Sequence, residues 1–232
     1  MTHNKGLINR LKNYSLCLAV FFCMSPVPVA LTRFEKGAML PARWQNAGSI
    51  NRVQPPADCV SRNLNGQFIL QCGRGDWASP AGWFIQQADW TDLNHDSLPE
   101  VTLLVKRPFS PWPVDRVLPY GGYIQSHQDM EGFSSHIILI GWKNDHWGEL
   151  WAGSALARPV RSFVACDVDN DGRQELAVLE GNYTDTNPQA ASSYAIWKWN
   201  SFGFDLISRS ERPLTRLVAV TTRDNLTLLL TQ

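Results

Sequence analysis

The chain has 232 residues, with 21 Lys plus Arg against 21 Asp plus Glu, so it carries no formal net charge. That balance argues against a nucleic-acid or membrane-surface partner held by bulk electrostatics. Ten Trp, ten Phe and 44% hydrophobic residues, with no low-complexity tract, describe a chain able to bury a core.

Residues 1–30 have the layout of an export signal. Lys5, Arg10 and Lys12 form a positive start, residues 15–24 an apolar core, and residues 25–30 a Pro-rich exit. Ala30 suits the position before a cut, whereas Pro28 two places earlier is a poor match. The apolar core is short of the roughly 20 residues a bilayer span needs. A cleaved signal and an uncleaved anchor both place the rest of the chain outside the cytoplasm: secreted, periplasmic or at the cell surface. A buried helix is the remaining alternative. Residues 31–58 hold Pro41, Pro55 and Pro56 and no apolar period, and are expected to be a linker or arm. Removing the first 30 of the 232 residues leaves 202, enough for one domain with a substantial core, and the β-repeat domain is expected over residues 59–232. Their apolar runs are short, rich in β-branched and aromatic residues, and bounded by Gly, Pro, Asn and Asp. The expected fold class is all-β.

Asn65-Gly66 is a strong two-residue hairpin signal, because a type I′ turn needs positive φ at both positions. Pairing outward from that turn places Cys59 opposite Cys72 in a non-hydrogen-bonded pair, with Cα atoms about 4.5 Å apart. A disulfide accepts that spacing and persists in an exported protein. Cys17 and Cys23 belong to the signal. Cys166, at the end of an apolar run, is left as an unpaired core residue.

Two nine-residue stretches share the pattern D-x-[DN]-x-D-[GS]-x-x-E and run straight into apolar strands. In the first, 92–100, the expected ligands are Asp92, Asn94, Asp96, the carbonyl of Leu98, and Glu100. In the second, 167–175, they are Asp167, Asp169, Asp171, the carbonyl of Arg173, and Glu175. Oxygens at alternate positions can converge on a hard cation such as Ca2+, which takes six to eight of them. Gly172 suits the sharp turn. Ser97 at the same place must adopt it at some cost, which makes the second loop the stronger candidate. His95 should point outward. Position 12 is Leu103 or Val178 rather than a bidentate acid, which argues against an EF-hand and favours a loop joining two strands.

These loops, each followed by a short apolar strand, resemble the FG-GAP or VCBS repeat of integrin-alpha-like β-propellers. The aromatic segment 196–204 is similar to the hairpin between metal loops in such repeats. The resemblance covers roughly 59–232. It implies a four-stranded blade per repeat with Ca2+ at the blade edge, and no particular activity.

A repeat is visible in the later chain. Residues 134–138 align with 192–196 at an offset of 58, and 158–165 with 212–219 at an offset of 54. The third acidic loop has decayed to Thr221-Thr222-Arg223-Asp224-Asn225. About three units result, as an open or incomplete β-propeller or, alternatively, a β-sandwich. Residues 31–58 or a second copy would then cover the open edge. An insertion over 108–133 separates the first loop from its hairpin. Its Trp112, Tyr120, Tyr123 and His127 are the candidate contacts for a protein or glycan. The bland alternative is that it covers a sheet edge.

For catalysis, His127, Asp129 and His136 lack any accompanying nucleophile motif. His136 alternates with apolar residues and reads as a satisfied, half-buried strand histidine. The leading expectation is therefore an exported, non-catalytic, Ca2+-stabilised β module that binds a protein or glycan. A carbohydrate-active enzyme on the same scaffold, and a surface protein assembling through sheet edges, are the alternatives. Two sequons, at Asn182 and Asn225, would matter only where glycosylation occurs.

Overall fold

The structure is a computed structural model describing residues 30–35, 38–41, 53–110, 126–187, 189–214, 217–221 and 227–231, with side chains over 53–110, 126–187 and 189–211. The signal expected over 1–30 lies almost wholly outside the described residues. So do Trp112, Tyr120 and Tyr123.

The chain opens with β1 (Ala30–Glu35) and β2 (Ala38–Pro41). Next come β3 (Cys59–Leu64), β4 (Gln67–Cys72) and β5 (Gly75–Ala78), then β6 (Phe84–Thr91), β7 (Glu100–Pro108), β8 (Phe133–Lys143) and β9 (His146–Ala152). They are followed by β10 (Val160–Cys166), β11 (Glu175–Glu180), β12 (Ala191–Trp199), β13 (Phe204–Leu214), β14 (Leu217–Thr221) and β15 (Thr227–Thr231). The expected all-β class is what the chain adopts. The strands form four antiparallel sheets: β3-β4-β5, β6-β7-β8-β9, β10-β11-β12-β13 and β14-β15-β1-β2.

In three sheets the strands follow in chain order. The fourth joins the two ends of the described chain, with β1 paired to β15 from Ala30↔Thr231 to Thr32↔Leu229. The stretch expected as a linker over 31–58 therefore contributes two strands. Strands of four and six residues offer too few positions for an alternation to stand out, and β1 joins its sheet through β15, far along the sequence. The repeat is legible in the sheets. β6, β10 and β14 each pair with the strand that follows them, β7, β11 and β15, and the first two pairs are joined by the acidic loops. The register refines the sequence alignment. Val105 pairs with His136 and Glu180 with Ser193, so equivalent residues of β8 and β12 lie 57 apart rather than 58.

The core forms between successive sheets. Alternate residues of β7 and β8 point to opposite faces. Val101, Leu103, Val105, Ile138 and Ile140 meet Phe68, Leu70 and Ile85 on one side. Leu104, Ile137 and Leu139 meet Phe163, Leu176, Val178 and Ala195 on the other. Beyond, Ala177, Leu179, Tyr194 and Ile196 pack with Cys166 and Val168 on the far face of the third sheet. Central strands covered on both faces read as continuous apolar runs instead of an apolar–polar alternation, as 101–105 and 176–179 do. A side-chain amide also ties neighbouring sheets: Gln87 donates to Phe163 O (2.8 Å) and accepts from Phe163 N–H (3.0 Å), linking β6 to β10.

The expected hairpin is present. Cys59 pairs with Cys72 and Leu64 with Gln67, and Asn65 and Gly66 take φ of 52° and 82°. A disulfide joins Cys59 to Cys72 across a Cα separation of 4.1 Å. The link closes a loop with a sequence separation of 13, for which chain entropy gives roughly 3 kcal/mol. Replacing both cysteines by alanine should lower stability by about 2–3 kcal/mol in urea unfolding. An unchanged midpoint would mean that the hairpin's packing alone holds it. Cys166 is buried and free; burial, with Glu175 and Asp167 adding repulsion, raises its thiol pKa well above the ordinary range.

Candidate metal centre

The acidic loops join β6 to β7 and β10 to β11, and they are built alike. The closing glutamate is the first residue of the second strand in both. One oxygen of it accepts the N–H of loop position 2: Leu93 N–H to Glu100 at 2.6 Å, and Val168 N–H to Glu175 at 3.0 Å. Position 1 accepts the N–H of position 6, from Ser97 to Asp92 (3.3 Å) and from Gly172 to Asp167 (2.9 Å). Position 5 accepts that of position 7, from Leu98 to Asp96 (2.8 Å) and from Arg173 to Asp171 (2.9 Å). These bonds curl each backbone around its own carboxylates. The curl requires left-handed residues at positions 4 and 6: His95 and Ser97 take φ of 61° and 65°, Asn170 and Gly172 61° and 84°. Ser97 therefore does adopt the strained turn expected of it.

Carboxylate oxygens of Asp92, Asp96 and Glu100 lie within 4.8 Å of one another, and so do those of Asp167, Asp169 and Glu175. Each triad can hold a metal ion. Asn94 is turned onto Asp96, donating to its Oδ2 (3.0 Å) and accepting its N–H (3.1 Å). Leu98 and Arg173 stand at the exposed position 7. Asp171 does not join the second triad. Its Oδ2 takes Lys198 Nζ at 2.7 Å.

Glu100 is 1% exposed. Its Oε1 accepts from Thr91 Oγ1 (2.9 Å) as well as from Leu93. Among the described residues, Oε2 has no partner. A buried carboxylate oxygen left unpaired is costly, and burial pushes the Glu100 carboxyl up to about 7, with Asp92 and Asp96 adding repulsion. An all-oxygen set with one acceptor left open suits a hard cation, so the residues present fit such an ion.

The second loop is neutralised differently. Lys198 Nζ lies 2.7 Å from Asp171 Oδ2, 2.9 Å from Asp169 Oδ2 and 3.1 Å from Glu175 Oε1. The last contact is an ion pair without hydrogen-bond alignment. Although burial works against it, the ammonium's pKa is raised by these three carboxylates. Burial still pushes Glu175 up to about 7, because it shares one cation with two other acids and is repelled by Asp169.

Two side chains outside the predicted ligand set organise the centre. Lys198 comes from β12, beside Glu175. Gln174 joins the loops, accepting Asp92 N–H at Oε1 (2.8 Å) and facing His95 Nε2 with its backbone carbonyl (2.8 Å). The outward orientation expected of His95 is thus corrected: the ring turns onto the second loop. Neither role is visible from spacing: that of Lys198 depends on the register between β11 and β12, and that of Gln174 on the packing of two sheets.

The other sequence candidates have structural partners. His127 Nδ1 lies 3.2 Å from Ala155 O. Asp129 pairs with Lys106 at 2.7 Å and accepts the N–H groups of Glu131 and Phe133 at 3.0 Å each, capping the end of the insertion. His136 is buried rather than half-buried, with Nδ1 3.0 Å from Gly153 O and Nε2 2.6 Å from Ser134 Oγ. Burial, with the Arg107 charge adding, lowers its pKa to about 4, which keeps it neutral. The hairpin over 196–204 packs Trp199 and Phe204 against Trp151, with ring centroids 5.2–5.7 Å apart.

No family model matches the chain, and no curated protein shows significant similarity to it.

Proposed function

We propose that the chain is an exported, Ca2+-stabilised β-repeat module of FG-GAP or VCBS type that binds a protein or glycan partner and is not a catalyst. The observation that carries the metal reading is the buried Glu100, whose Oε2 has no hydrogen-bond partner, gathered into one triad with Asp92 and Asp96. The ion is structural: it would tie the β6–β7 loop to its strand and neutralise a charge the fold has buried. The Cys59–Cys72 disulfide favours an oxidising, exported setting. The blade reading is supported by sheets that follow in chain order and pack face to face. Pairing of β1 with β15 draws the ends of the array into one sheet, as a circular arrangement needs.

Partner binding is assigned to the insertion over 108–133. The test replaces residues 111–125 by a short Gly-Ser linker and compares both proteins on immobilised glycans and proteins in Ca2+. We expect the variant to fold and to lose the binding of the parent. Retained binding would place the contact elsewhere on the sheets.

A further inference from the structure

The two loops share one backbone design and differ in the residue beside the closing glutamate. Register fixes that residue. Val101 pairs with Ile140 and Leu176 with Trp197, so the next positions set Glu100 against Gly141 and Glu175 against Lys198. The contacts agree: a Cβ built on Gly141 would lie 3.4 Å from the Glu100 Cβ, and Lys198 Nζ touches Glu175. At Gly141 no side chain reaches the loop, and the Leu150 side chain fills the space a Cβ would need. Among the described residues no cationic side chain forms an ion pair with Asp92, Asp96 or Glu100.

We infer that Lys198 is a tethered counter-cation that fills the second loop in place of a divalent ion, leaving the first as the one of the two acidic loops that takes Ca2+. The inference rests on the metal reading above and reverses the ranking suggested by Gly172 and Ser97. Turn geometry decides how easily a loop forms, whereas the charge already present decides whether it needs an ion. The ammonium contacts three of the second loop's four carboxylates at 2.7–3.1 Å. An incoming divalent ion would have to displace a cation covalently attached to the same domain. Glu100 and Glu175 are each 1% exposed with one oxygen outside any hydrogen bond, but only Glu175 has an ammonium beside that oxygen; the first loop has no such competitor. One loop is thus permanently occupied by its own lysine and the other is filled by Ca2+.

The test is Ca2+ stoichiometry on the full chain, by isothermal titration calorimetry with native mass spectrometry as a second count. The wild type should bind one ion, Lys198→Met two, and Asp96→Asn none. Two ions on the wild type, or one on Lys198→Met, would overturn the role of Lys198 while leaving the metal reading intact. An ion retained by Asp96→Asn would place it in the second loop and overturn the assignment, even if the Lys198 variant failed to fold. No ion on any of the three would remove the metal reading and this inference together.

Discussion

Arg209→Ala should be strongly destabilising, at about 3 kcal/mol. Glu180, the last residue of β11, is fully buried. The Arg209 guanidinium grips it with both prongs, Nε to Oε2 at 2.6 Å and Nη2 to Oε1 at 2.9 Å, while Ser193 Oγ donates to Oε2 at 3.0 Å. Removing the arginine strands a carboxylate beneath β12 and β13. Breaking such a pair from one side costs about 3–5 kcal/mol, whereas replacing both partners by apolar groups of similar volume can be nearly neutral. Arg209 is partly exposed, and Arg158 also bonds Ser193 Oγ at 3.1 Å, so the lower end of that range applies. For a domain of this size the melting temperature should fall by roughly 6–12 °C. A double variant, Glu180→Leu with Arg209→Met, should recover most of the loss. If Arg209→Ala alone melted within a degree of the wild type, the pair would be decorative.

The second large effect is a dependence of stability on pH that Ca2+ reverses. In metal-free protein the Glu100 carboxyl titrates at about 7 instead of its ordinary 4.5. Between those values the folded chain holds a proton that the unfolded chain has released. Stability therefore falls as pH rises through that window, by about 3 kcal/mol for a shift of this size. His136 acts in the opposite sense: its pKa is lowered from 6.5 to about 4, so its contribution is lost as pH falls through that range. Comparing the wild type with Glu100→Gln, which keeps His136, isolates the glutamate. In chelator, the wild type should lose stability relative to Glu100→Gln between pH 5 and 8. In saturating Ca2+ that relative loss should vanish or change sign, because the ion binds the charged carboxylate. Parallel pH profiles in chelator would mean that Glu100 is solvated and its burial unimportant.

What the sequence disclosed was local. The Asn65-Gly66 dipeptide sets a register, and register alone brings Cys59 to Cys72. The spacing of the acids likewise suffices to foresee two acidic clusters, because a tight loop gathers its side chains, but it over-counts their members: Asn94 turns onto Asp96 and Asp171 onto Lys198. What stayed hidden depends on residues far apart in the chain. β1 and β2 are too short to show a period, and β15, which pairs with β1, lies far along the chain. Lys198 is one charged residue in an aromatic strand, and only its register against Glu175 gives it a role. Gln174 and His95 meet because two sheets pack, which no spacing within either loop records. The ranking of the two loops by Gly172 against Ser97 used the one difference visible locally, whereas the strand neighbours Lys198 and Gly141 differ more in charge.

The most direct test of the account is the thermal melting of the full chain in millimolar Ca2+ and in excess chelator, alongside Asp92→Asn and Asp96→Asn. An ion at about 100 times its dissociation constant adds about 2.7 kcal/mol per site, or roughly 5–10 °C for a domain of this size. The account predicts such a rise in the wild type and none in either variant. A wild-type melting temperature indifferent to Ca2+ would reduce both loops to acidic turns and remove the metal from the fold.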